Sequence, residues 1–599
     1  MKPRIALISL SLAAAVAASA QGLHKEITVD QKIDPVKREA SRINVLPTLQ
    51  LPALSRAQLS FSDRVVTAPV PNSYSILAPM AYGDHLYTSP YRGYISLGAG
   101  APLFNATASA GYRILSSEKT RLSLWGQYEG DIYTTTTSIP LVTPDNLTTG
   151  YNDVKNYWRD HSATIGADLH TLVGKTSAVE ASLNYTYAYH TLPLGTSLIS
   201  PYGQNTSRIN GSVGYSSTSE NLTYKAALRY GHFGFYHSSF LNAADNALKS
   251  DMAESYPEKG VRQNQIGLSG LLTLPFSDNS SVGLNVDADF LRSSARLRAL
   301  YPYLSSDDRT FEGESTTGLI SLTPHYDYTS STVKASIGAQ IDISTNAEST
   351  FHVAPEVTFA WTPTQLFGFE AKATGGSVLN SLASLYDVTP YISSFFAYSQ
   401  SHVPFAIDGR LSFGPFFGAY MEVFGGYAKA SDWLMPVAGG AYLTYGVFEN
   451  VDLSAWHVGA AVGYSYRDLF KARVSFEAAP NDYDKSYYEW RDRASKVIKA
   501  EMTLKPIKPL TLALGWEFRG GRRIYTLVPD NVGSLGAVYT PVSSSLGCMS
   551  DLSLGATYAI SEPFSVFARA NNLLNRRYYF IGYREAQETN FLIGASLKF

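Results

Sequence analysis

The 599-residue sequence predicts an all-β chain: a transmembrane antiparallel β-barrel of about 22 strands with short periplasmic turns and long extracellular loops. Three observations predict it. Apolar residues alternate with polar ones along many segments of strand length, the period-2 signature of a sheet with two unlike faces. Short connections alternate with long ones along the chain, as in outer-membrane barrels. The composition has only 16% charged residues but 13% aromatics, with 41 Tyr and 46 Gly, and mean hydropathy is near zero. That balance suits strands with one face in lipid, one in water, and aromatic belts at both interfaces.

Taken from the N-terminus, Lys2 and Arg4 precede the apolar run Ile5 to Val16 and the A-x-A-like site Ala18-Ser19-Ala20. This reads as a secretory signal, residues 1–20, with cleavage near Ala20. No Cys follows the site, and no later run is long and apolar enough for a transmembrane helix. Residues 21–90 carry one short alternating segment, KEITVDQKI, and then scattered prolines. They are expected to form a periplasmic extension rather than a barrel strand. The lone Cys548 has no internal disulfide partner. A net charge of −2 gives no sign of a nucleic-acid partner.

From Tyr91 to Phe599 the alternation is repeated. Val179, Ala181, Leu183 and Tyr185 oppose Glu180, Ser182 and Asn184. Val282, Leu284 and Val286 oppose Asn285, Asp287 and Asp289. Val333, Ala335 and Ile337 oppose Lys334, Gln340 and Asp342, and Leu512, Leu514 and Trp516 oppose Glu517 and Arg519. A face carrying this many charges cannot line a dry sandwich core, because an unpaired buried charge costs several kcal/mol. Glu180, Asp287, Asp289, Lys334, Asp342, Glu517 and Arg519 are therefore candidate lumen-lining residues. Short turns fall near Ser116, Gly174, Ser217, Phe276, Ser330, Pro363, Gly414, Asp468, Pro506 and Ser561, and ten turns imply about twenty strands. Adding Tyr91 to Gly100 and Glu588 to Phe599 gives about 22, the size of plugged transporters rather than porins. Residues 377–402 and 431–460 are ambiguous.

The last strand places Phe591, Ile593, Ala595, Leu597 and Phe599 on one face and ends on an aromatic. It looks like the closing strand of a bacterial outer-membrane barrel, where the assembly machinery reads it. The preceding residues, Phe567-Ala568-Arg569-Ala570-Asn571-Asn572-Leu573-Leu574-Asn575 with Tyr578-Tyr579, Gly582-Tyr583-Arg584-Glu585 and Asn590-Phe591, resemble the last hairpin of TonB-dependent outer-membrane receptors. The resemblance implies a Gram-negative outer-membrane location and solute uptake. It also implies that Glu26-Ile27-Thr28-Val29 stands where a TonB box would, a short segment adding a strand to TonB. Family members carry a plug of well over a hundred residues, whereas only residues 21–90 precede the barrel here, so the chain resembles a short, plug-poor Bacteroides-type variant. A plug-less scaffold barrel in an envelope complex, docking a surface or periplasmic lipoprotein, is the alternative function.

No nucleophile, zinc-binding or phosphate-loop motif occurs, and no His pair has the spacing to put two ligands on one strand face. No enzyme activity, cofactor or metal is expected. Tyr487, Tyr488, Trp490 and Arg491 could hold a polar ligand in an outer loop, but an aromatic-girdle role is the reading favoured for the aromatics. Asp307, Asp308, Glu312 and Glu314 read as a solvated acidic loop, because their spacing does not fit a calcium loop.

Overall fold

The computed structural model describes residues 91–117, 119–142, 148–191, 203–219, 221–236, 262–296, 312–345, 351–388, 390, 400–438, 446–479, 494–529, 539–545, 547–579 and 585–599. The chain divides into two compact units, Met1–Asp63 and Arg64–Phe599, and all described residues lie in the second.

The strands follow one another around a ring. The first six are β1 (Gly93–Ala101), β2 (Phe104–Ser116), β3 (Thr120–Val142), β4 (Thr148–Val173), β5 (Ser177–Thr191) and β6 (Gly203–Thr218). Next come β7 (Thr223–Phe235), β8 (Arg262–Ser277), β9 (Ser280–Arg296), β10 (Glu312–Thr329), β11 (Val333–Thr345) and β12 (Phe351–Thr364). Then β13 (Phe367–Leu379), helix α1 (Leu382–Val388), β14 (Gln400–Phe416), β15 (Ala419–Ala438) and β16 (Gly446–Tyr466). The last are β17 (Phe470–Ala478), β18 (Lys496–Ile507), β19 (Leu510–Gly520), β20 (Arg523–Pro529), β21 (Tyr539–Ser545), β22 (Met549–Ala559), β23 (Phe564–Asn571) and β24 (Asn590–Lys598).

β19 pairs directly with β22, so β20 and β21 form a hairpin outside the ring. The remaining 22 strands close when β1 pairs antiparallel with β24, Tyr94 opposite Lys598 through Ala101 opposite Phe591. Closure leaves the ring no unpaired edge. No helix among the described residues is long and apolar enough to cross a membrane. The crossing is made by strands.

Ten short connections, from 117–119 through 560–563, lie at one end with both ends of the ring. Between strands that neighbour in the ring, the longer connections lie at the other end, with one exception: β1 and β2 are joined by residues 102–103 alone. In outer-membrane barrels the short turns are periplasmic. One face of the wall is an apolar belt, with Leu183 58%, Ile266 55%, Ile337 59% and Ile593 69% exposed in the isolated chain. Aromatic rings rim it: Tyr112 with Phe599, Tyr215 with Tyr224 and Trp361 with Phe367 towards the turns, and His161 between Tyr128 and Tyr189 towards the loops. The run from Val179 to Tyr189 measures about 34 Å at ~3.4 Å per residue, which a tilt of about 40° shortens to about 26 Å, close to the apolar height of such barrels.

The stretch that resembles the receptor family folds as a hydrogen-bonded knot beside the closing seam. Asn572, 2% exposed, donates from Nδ2 to the carbonyls of Arg576 and Gln587, and its Oδ1 accepts from the Arg576 N–H. Tyr578 donates to Asp551, Gln587 to Asn105 across the seam, and Tyr133 on β3 to the Glu585 carbonyl. These bonds tie β22, β2 and β3 together where β1 and β24 are short.

Candidate functional site: the outer mouth of the lumen

At the loop end, three neighbouring strands lose register at one level. The breaks fall between Thr374 and Gly376 on β13, His402 and Phe405 on β14, and Ala430 and Trp433 on β15. Gly376 pairs with Val403 and His402 with Ser431, so the irregularities form a continuous crease. Bulges bend strands, and two residues here have left-handed backbone, Gly376 at φ 123° and Asp432 at φ 52°. Glycine suits position 376 because its φ of 123° is strained for any residue with a Cβ. Tyr427 of the outer aromatic belt lies just below the crease, its ring tilted against Phe405 with centroids 5.9 Å apart.

Beyond the crease the chain turns inward as α1. Ser381 starts the helix, its Oγ accepting from the Ser384 N–H at 3.0 Å, an N-cap bond. Leu382 and Leu385, one turn apart, share a buried cluster with Phe233 and Phe235 of β7 and Leu434 of β15, and Tyr386 packs against it. β7 and β15 stand eight places apart along the ring, so this apolar bridge spans part of the mouth. Polar bonds seat it on the opposite wall. The Leu382 N–H donates to Gln263 Oε1 at 2.7 Å, Arg208 binds both carboxylate oxygens of Asp387, and the Tyr386 hydroxyl meets His190 and Thr206. His190 in turn faces Asp160 at 3.3 Å. Burial raises the Tyr386 pKa, keeping the phenol neutral and able to donate.

At the crease, Asp342 is fully enclosed and accepts from Ser321 Oγ, Gln340 Nε2 and the Ser377 N–H. His402 stacks on His352 with ring centroids 3.8 Å apart. Asn380 donates to Ser401, Ser401 to the Asp432 carbonyl, and Gln400 to the Gly318 carbonyl. Asp342→Ala is expected to leave three enclosed donors without this acceptor. At about 1–3 kcal/mol per stranded group and incomplete additivity, the loss is about 2–4 kcal/mol. Denaturant unfolding of the refolded barrel measures it, and a loss under about 1 kcal/mol would show that the carboxylate does not hold the crease.

Below the mouth, the inner wall carries paired charges. Arg229 lies between Asp287 at 3.2 Å and Asp289 at 3.1 Å, with Gln265 donating to Asp289. Glu517 accepts from Arg519 at 2.8 Å with Lys499 at 3.7 Å, and Arg473 bonds Glu422. A recess of about 310 Å³ is lined by Glu180, Lys225, Asn285 and Asp287 among others.

Of the residues proposed from sequence to line the lumen, Glu180, Asp287, Asp289, Lys334, Glu517 and Arg519 stand on the wall face away from the apolar belt, while Asp342 on the same face is sealed under the crease. Phe591, Ile593, Leu597 and Phe599 point outward, 51%, 69%, 41% and 55% exposed, with Ala595 on the same face. Glu26 to Val29, Tyr487, Tyr488, Trp490, Arg491, Asp307 and Asp308 lie outside the described residues. Sequence reading took His190 for a solvated residue near a loop, whereas the side chain is only 12% exposed between Asp160 and Tyr386, and it passed over Arg208, Tyr386 and Asp387. Its only signal was that 377–402 and 431–460 break the alternation.

No protein-family model matches the chain, and no curated protein matches it in sequence. Solved structures do. A mutant of the ferric enterobactin receptor PfeA from Pseudomonas aeruginosa, in complex with enterobactin, aligns with TM-score 0.60 at 11% identity over 85% of this chain and 81% of that one. The siderophore receptor PirA from Acinetobacter baumannii aligns with TM-score 0.61 at 10% identity over 86% and 81%. The FrpB iron transporter from Neisseria meningitidis gives 0.59 at 11% over 86% and 82%. At such identities the likeness concerns architecture: this chain has the 22-stranded barrel fold of outer-membrane receptors, as the C-terminal resemblance implied.

Proposed function

We propose that the chain is a receptor-like outer-membrane barrel that takes up a solute, capturing it at the loop end and passing it along the charged lumen. The observation that carries this reading is the unlike pair of wall faces: an apolar belt outside, and inside a paired-charge surface that is useful only against water or a polar solute. The similar structures include an enterobactin complex and an iron transporter, so a metal chelate is the first solute class to test. Residues 1–20 would direct export, and residues 21–90 would form the periplasmic extension, with Glu26 to Val29 engaging TonB by strand addition. Tyr487, Tyr488, Trp490 and Arg491 are candidates for ligand contact in an outer loop, beside the girdle role that the sequence favours for the three aromatics. No catalytic step is assigned.

The test is uptake of radiolabelled ferric chelates by a Gram-negative host lacking its own receptors, with the intact chain and with residues 24–33 deleted. Uptake by the intact chain and its loss on deletion are the expected results. Equal uptake by both would remove the TonB role, and no uptake across the chelate panel would overturn the chelate reading.

A further inference from the structure

We propose that the inner wall of β3 to β6 binds a neutral oligosaccharide, with Trp125 stacking on one sugar ring and Asp168, Asn184 and Asn210 bonding its hydroxyls. This rests on the reading of the lumen as a solute path and names a ligand class for the wall itself.

The stacking platform is held in place by the wall. Trp125 alternates with the outward Leu124, 46% exposed, and its indole reaches from β3 over Gly166 of β4, where a Cβ would meet the ring at 2.5 Å. Its Nε1–H donates to Asp168 Oδ2 at 2.6 Å, two residues along β4 on the same face. The ring plane therefore contains two directions that both run along the wall, one across the strands and one along them. The indole lies flat, one face on the glycine and the other toward the lumen. Phe567 rests on Gly594 in a similar way, but there Arg569 covers the ring at 5.6 Å. No ring or cation among the described residues covers Trp125.

The groups beside the platform are polar and mostly uncharged. Gly166 stands opposite Asn184, and Asn184 opposite Asn210, so two amides continue the row away from the indole at about 4.8 Å per strand. Asn210 Nδ2 donates to Asn184 Oδ1 at 3.0 Å, which leaves the Asn184 N–H groups and the Asn210 carbonyl for a ligand. Gly231 follows in the row without a side chain and leaves a notch beside Asn210. On either side of the row, Thr164 with Thr186 and Ser182 with Ser212 are hydroxyl pairs bonded at 2.9 and 2.7 Å. The flanking cations are engaged: Arg113 by the Tyr91 carbonyl, Arg208 by Asp387, and Arg229 by Asp287 and Asp289. A sugar ring presents what this surface takes, C–H groups on its face for the indole and hydroxyls at its edge for the amides and carboxylate. A charged solute would find little free counter-charge here.

Calorimetric titration tests the site, using the full chain refolded in a detergent without sugar headgroups and maltohexaose, xylohexaose and chitohexaose as probes. At least one is expected to bind. Trp125→Ala should weaken that binding about tenfold or more and Asn184→Ala about threefold, whereas Thr358→Ala, on the inner face of β12, should leave it unchanged. If Trp125→Ala fails to refold, Trp125→Phe and Asn184→Ala carry the test. No binding by any of the three sugars, or equal affinity in the Trp125 and Asn184 variants, would overturn the site. Catechol binding tighter than every hexasaccharide would overturn the sugar assignment in favour of a flat aromatic. Titration needs no transport, so a chain that binds a hexasaccharide yet takes up no chelate would sink the proposed solute and leave this site, and chelate uptake without sugar binding would do the reverse.

Discussion

Asn572→Ala is expected to destabilise the barrel by about 3–5 kcal/mol. The side chain makes three bonds in a site 2% exposed, and the backbone adds two more, its N–H to Asp551 Oδ1 and its carbonyl from Thr589 Oγ1. Alanine strands two carbonyls and one N–H, each at about 1–3 kcal/mol before relaxation. It also forces a Cβ residue without Asn's local bonding into left-handed backbone, φ 47°, at a cost of about 1 kcal/mol. Asn572→Asp keeps the acceptor for Arg576 N–H but turns two donated bonds into oxygen–oxygen repulsions, so it should be no milder. Guanidinium unfolding of the refolded protein, followed by tryptophan fluorescence, measures the loss. A shift below about 1 kcal/mol for Asn572→Ala would mean that the knot does not secure the seam.

That stretch shows what a motif conveys before a structure is seen. The Asn-Asn-Leu-Leu-Asn run identified a family resemblance, but its physical work, tying β22 to β2 and β3 around the closure, depends on partners such as Asn105 and Asp551 far away in sequence. Alternation reports only which way a side chain faces. It gave the wall faces from Glu180 to Arg519, and local turn chemistry gave all ten short turns within a few residues. Neither signal contains the height at which a strand stops spanning membrane. β3 and β4, at 23 and 26 residues, far exceed the roughly 10 a tilted span needs, and so continue outside it. The off-ring hairpin β20–β21 lies in a stretch without the wall's alternation, and the pairing of β19 with β22 leaves it off the ring. The crease escaped for a related reason: His352 on β12 and His402 on β14 stack although they lie fifty residues apart in sequence and their strands are not paired. Residues 377–402 read as ambiguous because their alternation stops where the chain leaves the wall for the mouth.

The second large effect is expected on the closing strand, where one face meets lipid. Ile593→Arg should cost about 2–4 kcal/mol, the price of a guanidinium near the middle of an outer-membrane bilayer. Ile593 is 69% exposed on the outer face, opposite Ala99 and Ala568, with Phe599 marking the aromatic belt below it. Leu597→Arg, next to that belt, should cost about 1 kcal/mol or less, because the side chain reaches the interface. Ser596→Arg is the contrast: its neighbours across the strands are Ser96 and Ser565 on the inner face, and a charge there joins a wall already furnished with them. Its cost should be near zero. Folding into lipid vesicles, titrated with guanidinium, ranks the three. Equal losses at Ile593 and Ser596 would contradict the assignment of faces, and a larger loss at Leu597 than at Ile593 would move the membrane along the strand. The same ranking bears on assembly, since Phe591, Ile593, Ala595, Leu597 and Phe599 form the outward edge proposed for recognition by the barrel-assembly machinery. A charge at Ile593 disturbs that edge and the lipid contact together, whereas refolding without the machinery isolates the lipid term. Any deficit of Ile593→Arg in cells beyond its deficit in vesicles therefore measures recognition.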